Sequence, residues 1–130
     1  MARLVLCMAF LSCIVISGCG ESCDYAVVSE TKSPDQKLKA VVFQRGCGAA
    51  IDSSTHVSIL SNEASPGGRG NLFIAGDESR AAPPNKKAPT EIKVSWESNF
   101  SLTIFYPKNV EVLLKRPMAA GVAVRYEVVP

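Results

Sequence analysis

Ser33-Pro34-Asp35-Gln36-Lys37 stands midway between Cys23 and Cys47, and its reading decides the fold. Proline presets the backbone for the second position of a β-turn, and Ser or Asp there bonds its own backbone. A chain that folds back about residue 35 sets Cys23 opposite Cys47. Directly opposed residues of an antiparallel pair have Cα atoms roughly 4.5–5.5 Å apart, a span that a disulfide bridges. Closing a loop of this length adds roughly 3–4 kcal/mol in the chain-entropy account. A reactive dithiol instead wants a Cys-x-x-Cys spacing or a basic pocket, and the spacing is absent. The same register pairs Val27 with Phe43 and Val28 with Val42. The hairpin is then apolar on both faces in its middle, which suits a central ribbon better than an exposed edge. Glu30, Lys37 and Lys39 lie near the turn, where solvent is expected.

Downstream, Gly46-Cys47-Gly48-Ala49-Ala50 breaks the pattern and Asp52-Ser53-Ser54 continues a loop. Residues 56–61 alternate, with Val57 and Ile59 on one face. Ser65-Pro66-Gly67-Gly68 is a turn signal, and residues 72–75 read as a short strand. The stretch 76–89, with Pro83-Pro84-Asn85-Lys86-Lys87, is the longest polar segment and is expected to be a mobile, solvated loop. Ile92, Val94 and Trp96 alternate with polar residues, and Leu102, Ile104 and Tyr106 follow a turn at Glu97-Ser98-Asn99. This is a second hairpin with half-buried strands. Val110, Val112 and Leu114 make another strand; Pro117 and Gly121 bracket a turn, and Val122, Val124, Tyr126 and Val128 close the chain. About eight short strands without a helix predict an all-β domain, an antiparallel sandwich or small barrel-like sheet.

Upstream, Arg3 supplies a cationic start, residues 4–16 an apolar run, and Ser17-Gly18 a slim site before Cys19. That is the layout of a secretory signal. A spanning helix needs about 20 apolar residues; this run is shorter and ends in Ser-Gly-Cys-Gly-Glu. A buried core helix would show polar residues at helical spacing, and none recur. Ile16-Ser17-Gly18-Cys19 resembles the lipobox of bacterial lipoprotein precursors. The resemblance implies a signal peptide over 1–18 and a diacylglycerol thioether on Cys19. A single β-rich domain over 19–130, with a short N-terminal tether, follows. Stable membrane residence takes two or more acyl chains, each CH₂ adding about 0.8 kcal/mol. By resemblance to enteric lipoproteins, Gly20 rather than Asp after the lipidated position favours the periplasmic face of the outer membrane if the host has two membranes. Cys7 and Cys13 leave with the signal, so Cys23 and Cys47 remain as the pair for an oxidising compartment.

The Ser-Pro-Asp-Gln-Lys turn, the Arg45-Gly46-Cys47-Gly48-Ala49 segment, residues 55–60, residues 71–74 and Val94-Ser95-Trp96 follow one another in order. The combination resembles an uncharacterised family of small exported bacterial proteins, many of them predicted lipoproteins, with no assigned activity. The family supplies no catalytic residue to carry over.

The formal net charge of +2 implies no polyanionic partner, and an export signal argues against nucleic acid. His56 is the sole histidine, and Asp52-Ser53-Ser54-Thr55-His56 gathers a carboxylate, hydroxyls and an imidazole. Triads work by aimed geometry that neighbours on one loop rarely reach, so His56 is expected on the polar face of a strand. One histidine with scattered carboxylates lacks zinc spacing, and Asp77-Glu78 alone is no calcium loop. Gly67-Gly68-Arg69-Gly70 lacks the Lys-Ser/Thr of a phosphate cradle and reads as a mobile hairpin tip. Asp35 is a turn former, and Arg45 a surface or disulfide-flanking cation. Lys86-Lys87 read as part of a solvated loop; on anionic headgroups they would contribute at most about 2 kcal/mol. The expected function is a membrane-anchored, non-enzymatic envelope module without cofactor, presenting loops to an envelope protein or cell-wall partner. The alternative is an inhibitor of a lysozyme-type hydrolase: size, β content and disulfide resemble small periplasmic lysozyme-inhibitor lipoproteins, but their Ser-Gly-Tyr pattern is missing.

Overall fold

The structure, a computed structural model, describes residues 23–47, 53–77 and 89–130. The leader, Cys19, Asp52 and the lysines at 86 and 87 lie outside these residues. Two sheets face each other. The first holds β1 (Cys23–Lys32), β2 (Leu38–Cys47), β3 (Ser54–Ser61), β4 (Phe73–Gly76) and β7 (Val112–Lys115), in the order β1-β2-β3-β4-β7. The second holds β5 (Lys93–Ser98), β6 (Ser101–Pro107), β8 (Met118–Ala119) and β9 (Val122–Val129), in the order β5-β6-β9-β8. The domain is the all-β sandwich that the strand spacing predicts.

All ladders run antiparallel except β6 with β9, which is parallel from Ser101↔Ala123 to Pro107↔Val129. Parallel neighbours need a long crossover. Residues 108–121 provide it, visiting the first sheet as β7 before returning through β8. Alternation alone carries no strand direction, so this pair was not readable from the residues.

The core lies between the sheets. Ala40 and Val42 of β2, Val57 and Ile59 of β3, and Phe73 and Ala75 of β4 meet Leu102, Ile104 and Tyr106 of β6 and Val122 of β9. Phe73 sits against Tyr106 and Tyr126, with ring centroids at 5.0 and 5.7 Å. The Tyr126 hydroxyl leaves this apolar layer by donating to the carbonyl of Arg116 at 2.6 Å, beside that of Leu72 at 3.2 Å. Burial without competing water pushes its pKa up to about 12.

The first hairpin follows the expected register from Cys23↔Cys47 to Val27↔Phe43, and the disulfide forms with its Cα atoms 4.1 Å apart. A bulge at Val28 then moves the pairing by one, so Ser29 rather than Val28 faces Val42. At the turn, Gln36 takes a positive φ of 61°. The Ser33 hydroxyl bonds Asp35 Oδ1 at 2.8 Å, and the Asp35 amide donates to Asn99 Oδ1 at 2.9 Å.

Two expectations for this hairpin are corrected. It is not a central ribbon: β1 is an edge strand, with Val27 and Val28 about half exposed. The second sheet reaches β1 at the turn end, where Trp96 Nε1 donates to the Thr31 carbonyl at 2.8 Å. Residues 24–30 project past that support and are exposed throughout. Lys39 is buried rather than solvated, its ammonium 3.3 Å from Glu30.

Because residues 24–30 lack cover, the disulfide holds that end of β1 to β2. Replacing Cys23 and Cys47 together with Ser is expected to lower unfolding free energy by about 2–4 kcal/mol. Urea titration measures this loss, and amide exchange on residues 24–29 should quicken before any other strand.

Candidate functional site

The disulfide end of the first sheet gathers most of the buried polar chemistry. Both faces of β2 and β3 are closed there. The outward residues Val41, Phe43, His56 and Ser58 are 0–3 % exposed, although they point away from the second sheet. Their cover is the connection 62–71. Gly68 N–H donates to the Tyr25 hydroxyl on β1 at 2.9 Å, and Gly70 N–H to His56 Nδ1 on β3 at 2.8 Å. Asn71 binds Ile59 in both directions, its Oδ1 accepting at 2.9 Å and its Nδ2 donating at 2.8 Å. Its amide also donates to Ser58 Oγ at 3.1 Å. The connection therefore spans from β1 to β3 and lies over the outward residues of β2 between them. The tip expected at 67–70 is anchored at two of its amides, those of Gly68 and Gly70, on side chains of the first sheet.

His56 is the pin of this cover. Its ring stacks on Phe43 with centroids 5.2 Å apart, and Nε2 lies 2.6 Å from Ser54 Oγ. Nδ1 accepts the Gly70 amide, so the neutral ring carries its proton on Nε2 and donates it to Ser54. A general base needs the reverse arrangement, a bare Nε2 facing the hydroxyl. The Ser54–His56 pair is thus a brace in this arrangement. His56 lies on β3, on the face opposite Val57 and Ile59 as expected, but that face is covered and the ring is buried. Desolvation, then repulsion from Arg45 and Arg69, lowers its pKa to about 4, with Asp77 opposing.

Behind the same strand end, on the inner face, Asp77 forms a second node. Its Oδ2 accepts from Gln44 Nε2 at 2.8 Å and Ser53 Oγ at 2.9 Å. Its Oδ1 accepts from the Thr55 hydroxyl, the Thr90 amide at 3.0 Å and the Thr90 hydroxyl at 3.1 Å. A buried carboxylate survives when its lone pairs are filled, and five donors fill them here. The node ties β2, β3, the end of β4 and the approach to β5 together. Sequence reading missed Asp77 as a hub; the hydroxyls at 53, 55 and 90 become a signal only once the strands are paired.

Arg45 flanks the disulfide as expected, with Nη2 3.4 Å from Cys23 Sγ and Nε 3.2 Å from the Tyr25 hydroxyl. Asp35 is a turn former, and its carboxylate, held by the Lys37 amide and Ser33, stays below the ordinary range. His56 and Ser53 lie on the outer and inner sides of the sheet; Asp52, their suggested companion, lies outside the described residues. Among the described residues no group of three or more His, Cys, Asp or Glu is placed to hold a metal ion. An open groove of about 720 Å³ runs along the β5 side of the second sheet, between Lys93, Phe105, Pro107 and Val129. Its charged residues, Lys93 and Glu91, are paired with each other at 3.6 Å. Comparison with protein-family models, with curated proteins and with solved structures finds no match.

Two measurements test the brace. Since the folded pKa of His56 lies below its unfolded value, the unfolded chain binds the extra proton between pH 6.5 and about 4. His56 therefore costs no stability above pH 6.5, and up to about 3 kcal/mol is lost as pH falls to 4. His56→Asn should flatten that part of the pH–stability curve in chemical denaturation. A Cβ on Gly70 would meet His56 Cβ at 2.9 Å and the Val57 carbonyl at 3.0 Å. Gly70→Ala is thus expected to destabilise by about 1–3 kcal/mol, whereas Gly67→Ala, with open space around it, should change the melting temperature little.

Proposed function

We propose that this protein is an envelope lipoprotein: a β-sandwich tethered by lipid on Cys19 that acts as a non-enzymatic binding or structural module. The observation that carries the reading is the disulfide between Cys23 and Cys47, close behind the apolar run and Ile16-Ser17-Gly18-Cys19. Such bonds persist in oxidising compartments, which the chain reaches by export. With that pair consumed, Cys19 is the thiol the lipobox likeness assigns to acylation. The resemblance to small exported bacterial proteins points the same way. The wrong-handed proton on His56 and the saturated carboxylate of Asp77 favour a binding role over hydrolysis. The partners in this reading are the membrane, through Cys19, and an envelope protein or cell-wall component met by the domain.

Mass spectrometry of the native protein should show a chain beginning at Cys19 and carrying diacylglycerol. Cys19→Ser should move it from the membrane fraction to the soluble fraction. An unmodified Cys19 on a membrane-free native protein would sink the proposal.

A further inference from the structure

We propose that the outer face of the first sheet at its disulfide end, formed by Tyr25, Val27, Arg45 and Arg69, is the surface this protein lays against an anionic bilayer. The inference rests on the anchored reading above. Cys19 precedes β1 by four residues, a length of chain that spans at most about 14 Å, so this end of the domain stays near the lipid.

Tyr25 and Arg45 are direct cross-strand partners. The guanidinium sits 5.8 Å from the ring centroid, and its Nε donates to the hydroxyl at 3.2 Å. The Gly68 amide donates to the same hydroxyl at 2.9 Å, which brings the exposed Arg69 beside the pair. Val27, 51 % exposed, continues the patch along the same face, and Val28, 47 % exposed, adjoins it at the bulge. A tyrosine, apolar side chains and guanidinium groups are what an interface of headgroups and upper acyl chains accommodates. Guanidinium groups also suit phosphate through paired N–H donors.

Charge suits this face. The ion pairs among the described residues lie elsewhere: Lys39 with Glu30, Lys93 with Glu91, and Arg125 with Glu127. The last two neutralise themselves on the second sheet, leaving Arg45 and Arg69 with neutral hydrogen-bond partners or solvent. A second copy is the poorer occupant. It would bring like charges, Arg45 and Arg69 of each copy, together.

The test uses the full lipidated protein with Val27→Cys carrying a polarity-sensitive fluorophore, reconstituted on vesicles. On phosphatidylcholine mixed with phosphatidylglycerol the emission should shift to the blue, and added salt should reverse it. Phosphatidylcholine alone should leave the probe water-like, as should the same label at Ser95→Cys on the second sheet. Arg69→Gln, an exposed change that leaves the fold intact, should weaken the contact about five-fold, and Arg45→Gln by a similar factor. A Val27 probe that stays water-like on both vesicles overturns the surface. A blue shift on phosphatidylcholine alone that grows with the density of protein on the vesicle points to a second copy and overturns it too. Mass spectrometry of the same sample separates the two claims: lipid present with a silent probe defeats the surface alone, whereas missing lipid defeats the anchor and the surface together.

Discussion

The outer face of the β2–β3 pair has to be kept dry by a loop. In most antiparallel sandwiches one face of each sheet is left to water. Here Val41, Phe43, His56 and Ser58 point outward and are as buried as the core residues behind them. A connection laid over apolar side chains brings its own amides and carbonyls, each of which needs a partner. The cover works because Tyr25, His56 and Ser58 accept from the amides of Gly68, Gly70 and Asn71 in turn, while the Asn71 side chain bonds the backbone of Ile59 in both directions. His56 holds its place for that reason, and its neutral form is the one the site requires.

What the cover and the second sheet leave uncovered is the Cys23 half of β1. That strand end has a strand neighbour on one side only, and the Tyr25 hydroxyl is where the connection reaches it, so a covalent link does much of what packing does elsewhere. A small domain has little buried surface to spare, and the disulfide and the Asp77 node share the same end of the sandwich. The inner node ties strand ends together; the outer face carries the exposed valines, the tyrosine and the two arginines. The end that is stapled is thus also the end with exposed apolar and cationic side chains, and in sequence it begins four residues after Cys19.

Much of the strand plan could be read in advance. Val94/Trp96, Leu102/Ile104/Tyr106 and Val122/Val124/Tyr126 alternate without interruption, and each became a strand with those residues facing inward. The hairpin centre and the Cys23↔Cys47 pairing followed from one turn and two cysteines. Solvation was harder to read. Val27 and Phe43 are opposite one another and equally apolar, yet one is half exposed and the other sealed. Lys39 is buried because Glu30 lies across the strand beyond a one-residue bulge, and nothing local announces the bulge.

Local chemistry in the residues thus determined that the chain makes strands, where it turns, and which cysteines meet, since period-two alternation, turn propensity and short-range register are properties of neighbours. Tertiary structure alone decided that β1 is an edge, that β6 and β9 run parallel, that the 62–71 connection is a cover, and that His56 and Asp77 are buried nodes. Each of these depends on which distant segment arrives on the far side of a strand, and a strand's own pattern records only that one of its faces avoids water.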